Sequence, residues 1–303
     1  MEENTTSNDW TDELTPPSWT EYAKLAAYIV AGIFLCFVLI ILALRWVNPS
    51  FSAFTLQEDW VGLEQERYSL RESWVPADEL PEHLKLAVVA SEDQRFYEHW
   101  GLDLAAIEQA LEEKEKEGRV RGASTITQQV AKNLFLWPAQ SYFRKGIEAG
   151  IAVMIELLWT KDRILEVYLN IAEFGPGMYG VAKAGAHYYG KKPAQFTPEQ
   201  SARMATVLPN PKRIEPEPAS SYVIERSRWI LRNMQQLSGY IYLPEQDSQP
   251  ENEADTAFSD IDSTFFSYPD ESIPVKTDSL SVNNLTDTLI QNVSADTLDE
   301  QLK

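Results

Sequence analysis

The 303-residue sequence predicts a mainly α-helical protein with one N-terminal transmembrane helix, and three observations predict it. Residues 25–44 (LAAYIVAGIFLCFVLIILAL) are uncharged and overwhelmingly apolar. From Pro81 to about Gly239, apolar residues recur at helical spacing between Gly and Pro breaks, with no sustained β alternation. Both ends of the chain are polar and acidic, a composition that cannot bury a core.

The net charge of −20 belongs mostly to those ends. Residues 1–21 hold six acidic and no basic residues, and residues 244–303 hold fourteen acidic and two basic. The body at 22–243 is left with 26 acidic against 24 basic residues, so it is close to neutral. A neutral body argues against a nucleic-acid partner. About 200 soluble residues suffice for one substantial core or two lobes sharing a cleft.

In chain order, 1–21 reads as an acidic disordered tail. Residues 22–46 read as a transmembrane anchor, because twenty apolar residues span about 30 Å as a helix, the thickness of a bilayer core. Lys24 and Arg45 bracket the span, with Tyr22, Tyr28 and Trp46 as interface anchors. One basic residue on each side leaves the orientation open. The only cysteine, Cys36, lies inside the span, so the soluble part has no disulfide or thiol nucleophile. Residues 47–80 read as a juxtamembrane linker with one short extended segment. Residues 81–243 form the folded domain, with helices expected at 82–90, 103–116, 125–136, 143–159, 161–171, 181–189, 198–208 and 221–238. Thr197 before Pro198 is a helix cap with proline at the first helical position. Residues 244–303 read as a second acidic disordered tail, with short apolar clusters such as Phe265–Phe266 as docking points.

Four motifs carry the chemistry. Ser91–Gly101 (SEDQRFYEHWG) places Glu92, Phe96 and His99 at i, i+4 and i+7, within roughly 60° on one helix. Following an apolar run, Glu92 would emerge from the core at a cleft edge, where burial makes a carboxylate a usable general acid or base. The plainer alternative is an amphipathic helix with a packed histidine. Gly122–Phe135 (GASTITQQVAKNLF) crowds hydroxyls and amides at a helix start. Capping explains Ser124, Thr125 and Gln128 or Gln129, but not Lys132 and Asn133 before the apolar Leu134–Trp137. That set offers neutral donors for a sugar and a helix N-terminus with a cation for a phosphate, beside a patch able to touch lipid. Arg144–Glu148 (RKGIE) is either a surface ion-pair cluster or a charged turn at a cleft edge. Lys161–Asn170 (KDRILEVYLN) reads as core packing, with Asn170 and the turn 174–179 fixing the wall of a site.

Several chemistries are excluded. The sequence has no P-loop and no dinucleotide-binding glycine fingerprint. His83, His99 and His187 make no metal-ligand spacing. Lys276-Thr277 is followed by Asp278, so no penicillin-binding transpeptidase signature is present.

Together these motifs resemble the peptidoglycan glycosyltransferases (glycosyltransferase family 51), in particular the monofunctional biosynthetic transglycosylases. The matching residues are Glu92-Asp93, Phe96, His99 and Gly101; Gly122, Ser124-Thr125, Thr127-Gln128-Gln129 and Lys132-Asn133; Arg144-Lys145 and Glu148; and Ile164-Leu165-Glu166, Tyr168-Leu169-Asn170. Ala123 stands where the pattern has a second glycine. The resemblance covers about 84–239 and implies a lysozyme-like, two-lobed helical glycosyltransferase domain. It implies a single-pass protein of the cytoplasmic (inner) membrane with a cytoplasmic N-terminus and a catalytic domain outside. The implied reaction joins lipid II into β-1,4-linked glycan with inversion and release of undecaprenyl pyrophosphate. Glu92 would be the base on the attacking hydroxyl, and Glu148 would assist on the leaving-group side. Asp93, Ser124, Thr125, Gln129, Lys132, Asn133, Arg144 and Lys145 would hold substrate, with Phe96, His99 and Asn170 in support. The implied partners are lipid II, the growing glycan strand, the membrane and other cell-wall or division proteins. No cofactor is required, with a divalent cation (Mg or Mn) beside the pyrophosphate as the alternative. A lytic muramidase and a non-catalytic membrane scaffold are the competing readings. The first needs no pyrophosphate cradle, and the second leaves the 122–148 constellation unexplained.

Overall fold

The computed structural model describes residues 19–60, 69–117, 122–139 and 141–238. The acidic tails expected at 1–21 and 244–303 lie outside the described residues, except that 19–21 begin the first helix. That helix, α1 (Trp19–Ala43), is long and apolar enough to cross a membrane. Its side chains face outward along almost its whole length, and only Ile41 is buried.

The described parts of the segment expected as linker, 47–60 and 69–80, are folded onto the domain. Instead of an extended stretch they form α2 (Ala53–Trp60) and a 3₁₀ turn at Leu70–Ser73. Ser52 and Thr55 exchange hydrogen bonds at the start of α2, which supplies the cap that makes so short a helix viable. Beyond the turn, Val75 and Asn170 are stitched together. The Val75 amide donates to Asn170 Oδ1 at 2.8 Å, and Asn170 Nδ2 donates to the Val75 carbonyl at 2.8 Å. Asn170 is therefore a buried brace for the incoming chain rather than a wall of the site.

The domain continues as α3 (Glu82–Glu92), α4 (Leu104–Glu117), α5 (Ile126–Phe135), α6 (Tyr142–Leu158) and α7 (Lys161–Ile171). A small antiparallel hairpin, β1 (Glu173–Gly175) and β2 (Met178–Tyr179), leads to α8 (Val181–Tyr189). A 3₁₀ turn at Pro193–Gln195 precedes α9 (Pro198–Val207) and α10 (Ser221–Ser238). Two helix groups carry the core: α3, α9 and α10 pack together, while α5 packs against α6 and α7. α7 is buried from Arg163 to Ile171, which agrees with its apolar spacing.

The caps explain the sharp helix starts. Thr125 and Thr197 each accept from the amide three residues on, while Gln128 and Gln200 reach back to the cap amide. These are capping boxes that satisfy two orphan donors each.

Candidate active site

α3 ends at Glu92, which overturns the expectation that Glu92, Phe96 and His99 share one helical stripe. The reason lies in Asp93. Its backbone leaves the helix (φ −161°, ψ 74°), and its carboxylate is claimed by groups distant in sequence. Oδ2 accepts from the Ile126 amide at 3.0 Å, at the first turn of α5, and Oδ1 accepts from His99 Nε2 at 2.9 Å. A carboxylate only accepts, so His99 carries its proton on Nε2. Asp93, expected to hold substrate, is thus buried and fully engaged in fixing the loop.

That loop, residues 93–101, is closed at several further points. Phe96 is fully buried, with the Lys161 ammonium 4.3 Å from its ring centre. Lys161 Nζ also donates to the His99 carbonyl at 2.9 Å and to Glu156 at 2.8 Å. Thr125 Oγ1 donates to the Gly101 carbonyl at 2.6 Å, so Thr125 is a buried latch rather than a substrate group. Gly101 sits at φ +79°, and a Cβ there would press on the Ala152 backbone at 3.0 Å. Only glycine meets both demands.

Glu92 stands at the edge of this clamp, partly open on one side. Gln129 Nε2 donates to its Oε2 at 2.9 Å, and Tyr168 Oη donates to Gln129 Oε1 at 3.2 Å, which fixes the amide's orientation. Desolvation raises the Glu92 pKa above the usual carboxylate value. The Gln129 hydrogen bond, the positive charges of Arg226 and Lys132 and the Ser91 hydroxyl pull the other way without cancelling it. A carboxylate with raised proton affinity and an open side is suited to accept a proton.

The cations gather at the start of α6. Glu148, almost fully buried, accepts from Arg144 Nη1 at 3.0 Å and from Lys145 Nζ. Arg144 is itself buried, so this cluster is not a surface ion pair. Lys145 Nζ also donates to Ser124 Oγ at 2.7 Å. Since α5 carries Gln129 one turn beyond Ser124, one helix end touches both the Glu92 carboxylate and the cation cluster. Lys132 is half-buried on the same helix, 5.6 Å from the Phe54 ring centre. Asn133 is half-buried beside it. The apolar patch expected at Leu134–Trp137 is mostly turned inward, with only Trp137 exposed. The exposed apolar surface beside the cations is Tyr142 and Phe143.

A family model described as transglycosylase matches residues 61–235. The chain belongs to the transglycosylase family. It is 52% identical over 199 residues to a biosynthetic peptidoglycan transglycosylase of Pectobacterium carotovorum, covering 65% of this chain and 75% of that one. It is 45% identical over 214 residues to one of Pseudomonas putida, covering 70% and 90%. A relative of the same name from a Marinomonas species is 47% identical over 209 residues, covering 67% and 87%.

Two residues on α10 of this transglycosylase went unseen in the sequence. Arg226 bears on the Glu92 charge, and Tyr222 is coupled to both Arg226 and Glu92. Their i, i+4 spacing was the available signal, but nothing local says which helix they face. Among the described residues no group of three or more His, Cys, Asp or Glu side chains gathers to hold a metal. Both oxygens of Glu148, the carboxylate beside the cations, are already held by Arg144 and Lys145.

Proposed function

We propose that the protein is a membrane-anchored peptidoglycan glycosyltransferase that polymerises lipid II into β-1,4-linked glycan in bacterial cell-wall synthesis. The observation that carries the reading is the first turn and a half of α5. Gln129 there holds the Glu92 carboxylate, while Ser124 just before it holds Lys145 of the cation cluster.

The reaction needs a base on one side of the anomeric carbon and positive charge on the other. Glu92 takes the proton of the attacking C4 hydroxyl as the new C–O bond forms. The bond from the anomeric carbon to the pyrophosphate oxygen breaks, and that oxygen leaves with the electron pair. Displacement from the opposite face inverts the linkage. Arg144, Lys145 and Lys132 neutralise the departing charge. Arg144 Nε has no acceptor among the described residues, which leaves a donor to offer a phosphate oxygen. Glu148 acts through these cations as a positioning residue. Ser124, Gln129 and Asn133 remain the groups available to sugar hydroxyls. Each Glu148 oxygen already accepts from a cation and its charge is balanced by Arg144 and Lys145, which favours the reading without a divalent ion, and polymerisation is expected to persist in chelator.

In this reading α1 is a single span with the 1–21 tail in the cytoplasm and the catalytic domain outside. Exposed Tyr142 and Phe143 beside the cations suit a site working at a lipid surface. The test is incubation of the full chain with labelled lipid II and gel separation of the glycan. A ladder of long polymer is expected. No reaction with lipid II combined with cleavage of finished glycan would instead assign the lytic activity.

A further inference from the structure

α2 lies between the membrane-spanning helix and the helical core, yet it packs against α5, the helix that carries Gln129 and Lys132. Its Phe54 is half-buried, and the Lys132 ammonium stands over that ring, 5.6 Å from the centre. At this separation a cation is drawn to the negative face of the ring. Lys132 follows Gln129 by three residues, so the two share one side of α5, and Gln129 holds Glu92.

The three cations of the site are thus aimed by different means. Arg144 and Lys145 share the Glu148 carboxylate. Lys132 sits in the last turn of α5, where a positive charge suits the helix dipole. The dipole does not choose among the rotamers of a flexible four-carbon stem, and an aromatic face does. From its place by the ring the Lys132 charge still reaches Glu92, whose proton affinity it lowers.

The ring itself is braced from outside the site. The Ser52 amide donates to Thr55 Oγ1 at 2.8 Å and the Thr55 amide donates to Ser52 Oγ at 3.2 Å, both residues being buried. Just before them, Asn48 Oδ1 accepts from Arg163 Nη1 at 2.9 Å and the Asn48 carbonyl accepts from Arg71 Nε at 3.2 Å. The Leu70 amide donates to the Ser50 carbonyl at 2.9 Å. α7 and the 70–73 turn therefore hold the chain that presents Phe54 to α5. Resting on the function proposed above, we infer that Phe54 is a positioning residue, whose ring holds the Lys132 ammonium in place for the pyrophosphate. The juxtamembrane helix becomes part of the substrate site. Phe54 also packs on the apolar core, a role that any apolar side chain of its size fills.

The experiment uses the full chain in detergent, with undecaprenyl pyrophosphate as the probe. Phe54→pentafluorophenylalanine keeps the ring but strips the negative charge from its face, and Phe54→Leu removes the ring. Each is expected to weaken binding about two- to fivefold, the worth of one exposed cation–π contact. The fluorinated protein is expected to keep its thermal midpoint. In Lys132→Gln the same changes at Phe54 are expected to have no further effect on binding, because the partner is gone. Polymerisation by the fluorinated protein supplies a second readout. Glu92 faces Lys132 from α5 and Arg226 and Tyr222 from α10, so a displaced Lys132 leaves its pKa higher. The acid limb of the pH–rate profile is then expected to move to higher pH. Undiminished binding by the fluorinated protein would overturn the proposal. A loss that persists in full in Lys132→Gln would overturn it too, by reducing Phe54 to packing. Because binding needs no turnover, a chain that shows the expected binding pattern yet makes no glycan would count against the catalytic reading alone.

Discussion

Glu92 is costly to keep charged where it stands, and its neighbours are arranged to keep it usable. Desolvation favours its protonated form, so its folded pKa lies above that of the unfolded chain. The sign of the linkage follows. This group's contribution to stability is most favourable below its unfolded pKa and is lost as pH rises through the folded one. Glu92→Gln is therefore expected to raise the thermal midpoint at neutral pH, with a gain that shrinks under acid. The same variant should lose about 10²–10⁴-fold in polymerisation of lipid II, the usual share of a general base. Gln129→Ala removes the hydrogen bond that favours the charged carboxylate. Its acid limb in a pH–rate profile is expected to move to higher pH, whereas a merely loosened fold would lower activity at every pH alike. Glu92 was readable from sequence because its motif is local. Arg226 and Tyr222 were not, because they reach it from a helix at the far end of the domain, and only folding brings α10 beside α3.

At the level of elements, most helices were legible because their signals are local: apolar spacing and the Thr-x-x-Gln boxes at Thr125 and Thr197. The failure at 93–101 is equally instructive. Periodicity continued the helix through Phe96 and His99, but Asp93 finds better partners in the Ile126 amide and His99 than in another helical turn. A long-range bond of that kind leaves no periodic trace. The resulting loop holds Glu92 at a free helix end and seats α5 at the correct height to offer Gln129. Gly101 is its tightest point. Gly101→Ala must accept a left-handed backbone and a 3.0 Å contact with the Ala152 backbone. A loss of about 1–3 kcal/mol is expected in chemical denaturation, with polymerisation falling in step as the α5 cap loosens. Unchanged stability would mean that the loop does not clamp the α3 end.

For the whole molecule, the decisive feature is that the apolar helix is not tethered loosely. Trp159 Nε1 donates to the Ile41 carbonyl at 2.8 Å, and Arg45 donates to the Leu158 carbonyl at 2.7 Å. Arg163 donates to the carbonyls of Leu44 and Val47 and to Asn48 Oδ1, pairs with Glu166 at 2.9 Å, and stacks 5.4 Å from the Trp74 ring centre. The carbonyls at the end of α1 would otherwise need water, and a planar guanidinium with five donors is the side chain able to collect several at once. Because Arg163 lies in the first turn of α7 and α6 ends at the same corner, the clasp fixes α1 against α7 and against the C-terminal end of the helix that carries Arg144, Lys145 and Glu148 at its start. In the anchored reading proposed above, the height and tilt of the site over the bilayer are set by the fold and not by a flexible linker. Arg163→Gln keeps one short donor and loses the fork. Limited proteolysis near residues 44–50 should accelerate in the variant. Polymerisation should fall further with lipid II embedded in vesicles than with lipid II in detergent, where substrate reaches the site from any direction. An equal fall in both media would mean that Arg163 stabilises the domain without orienting it.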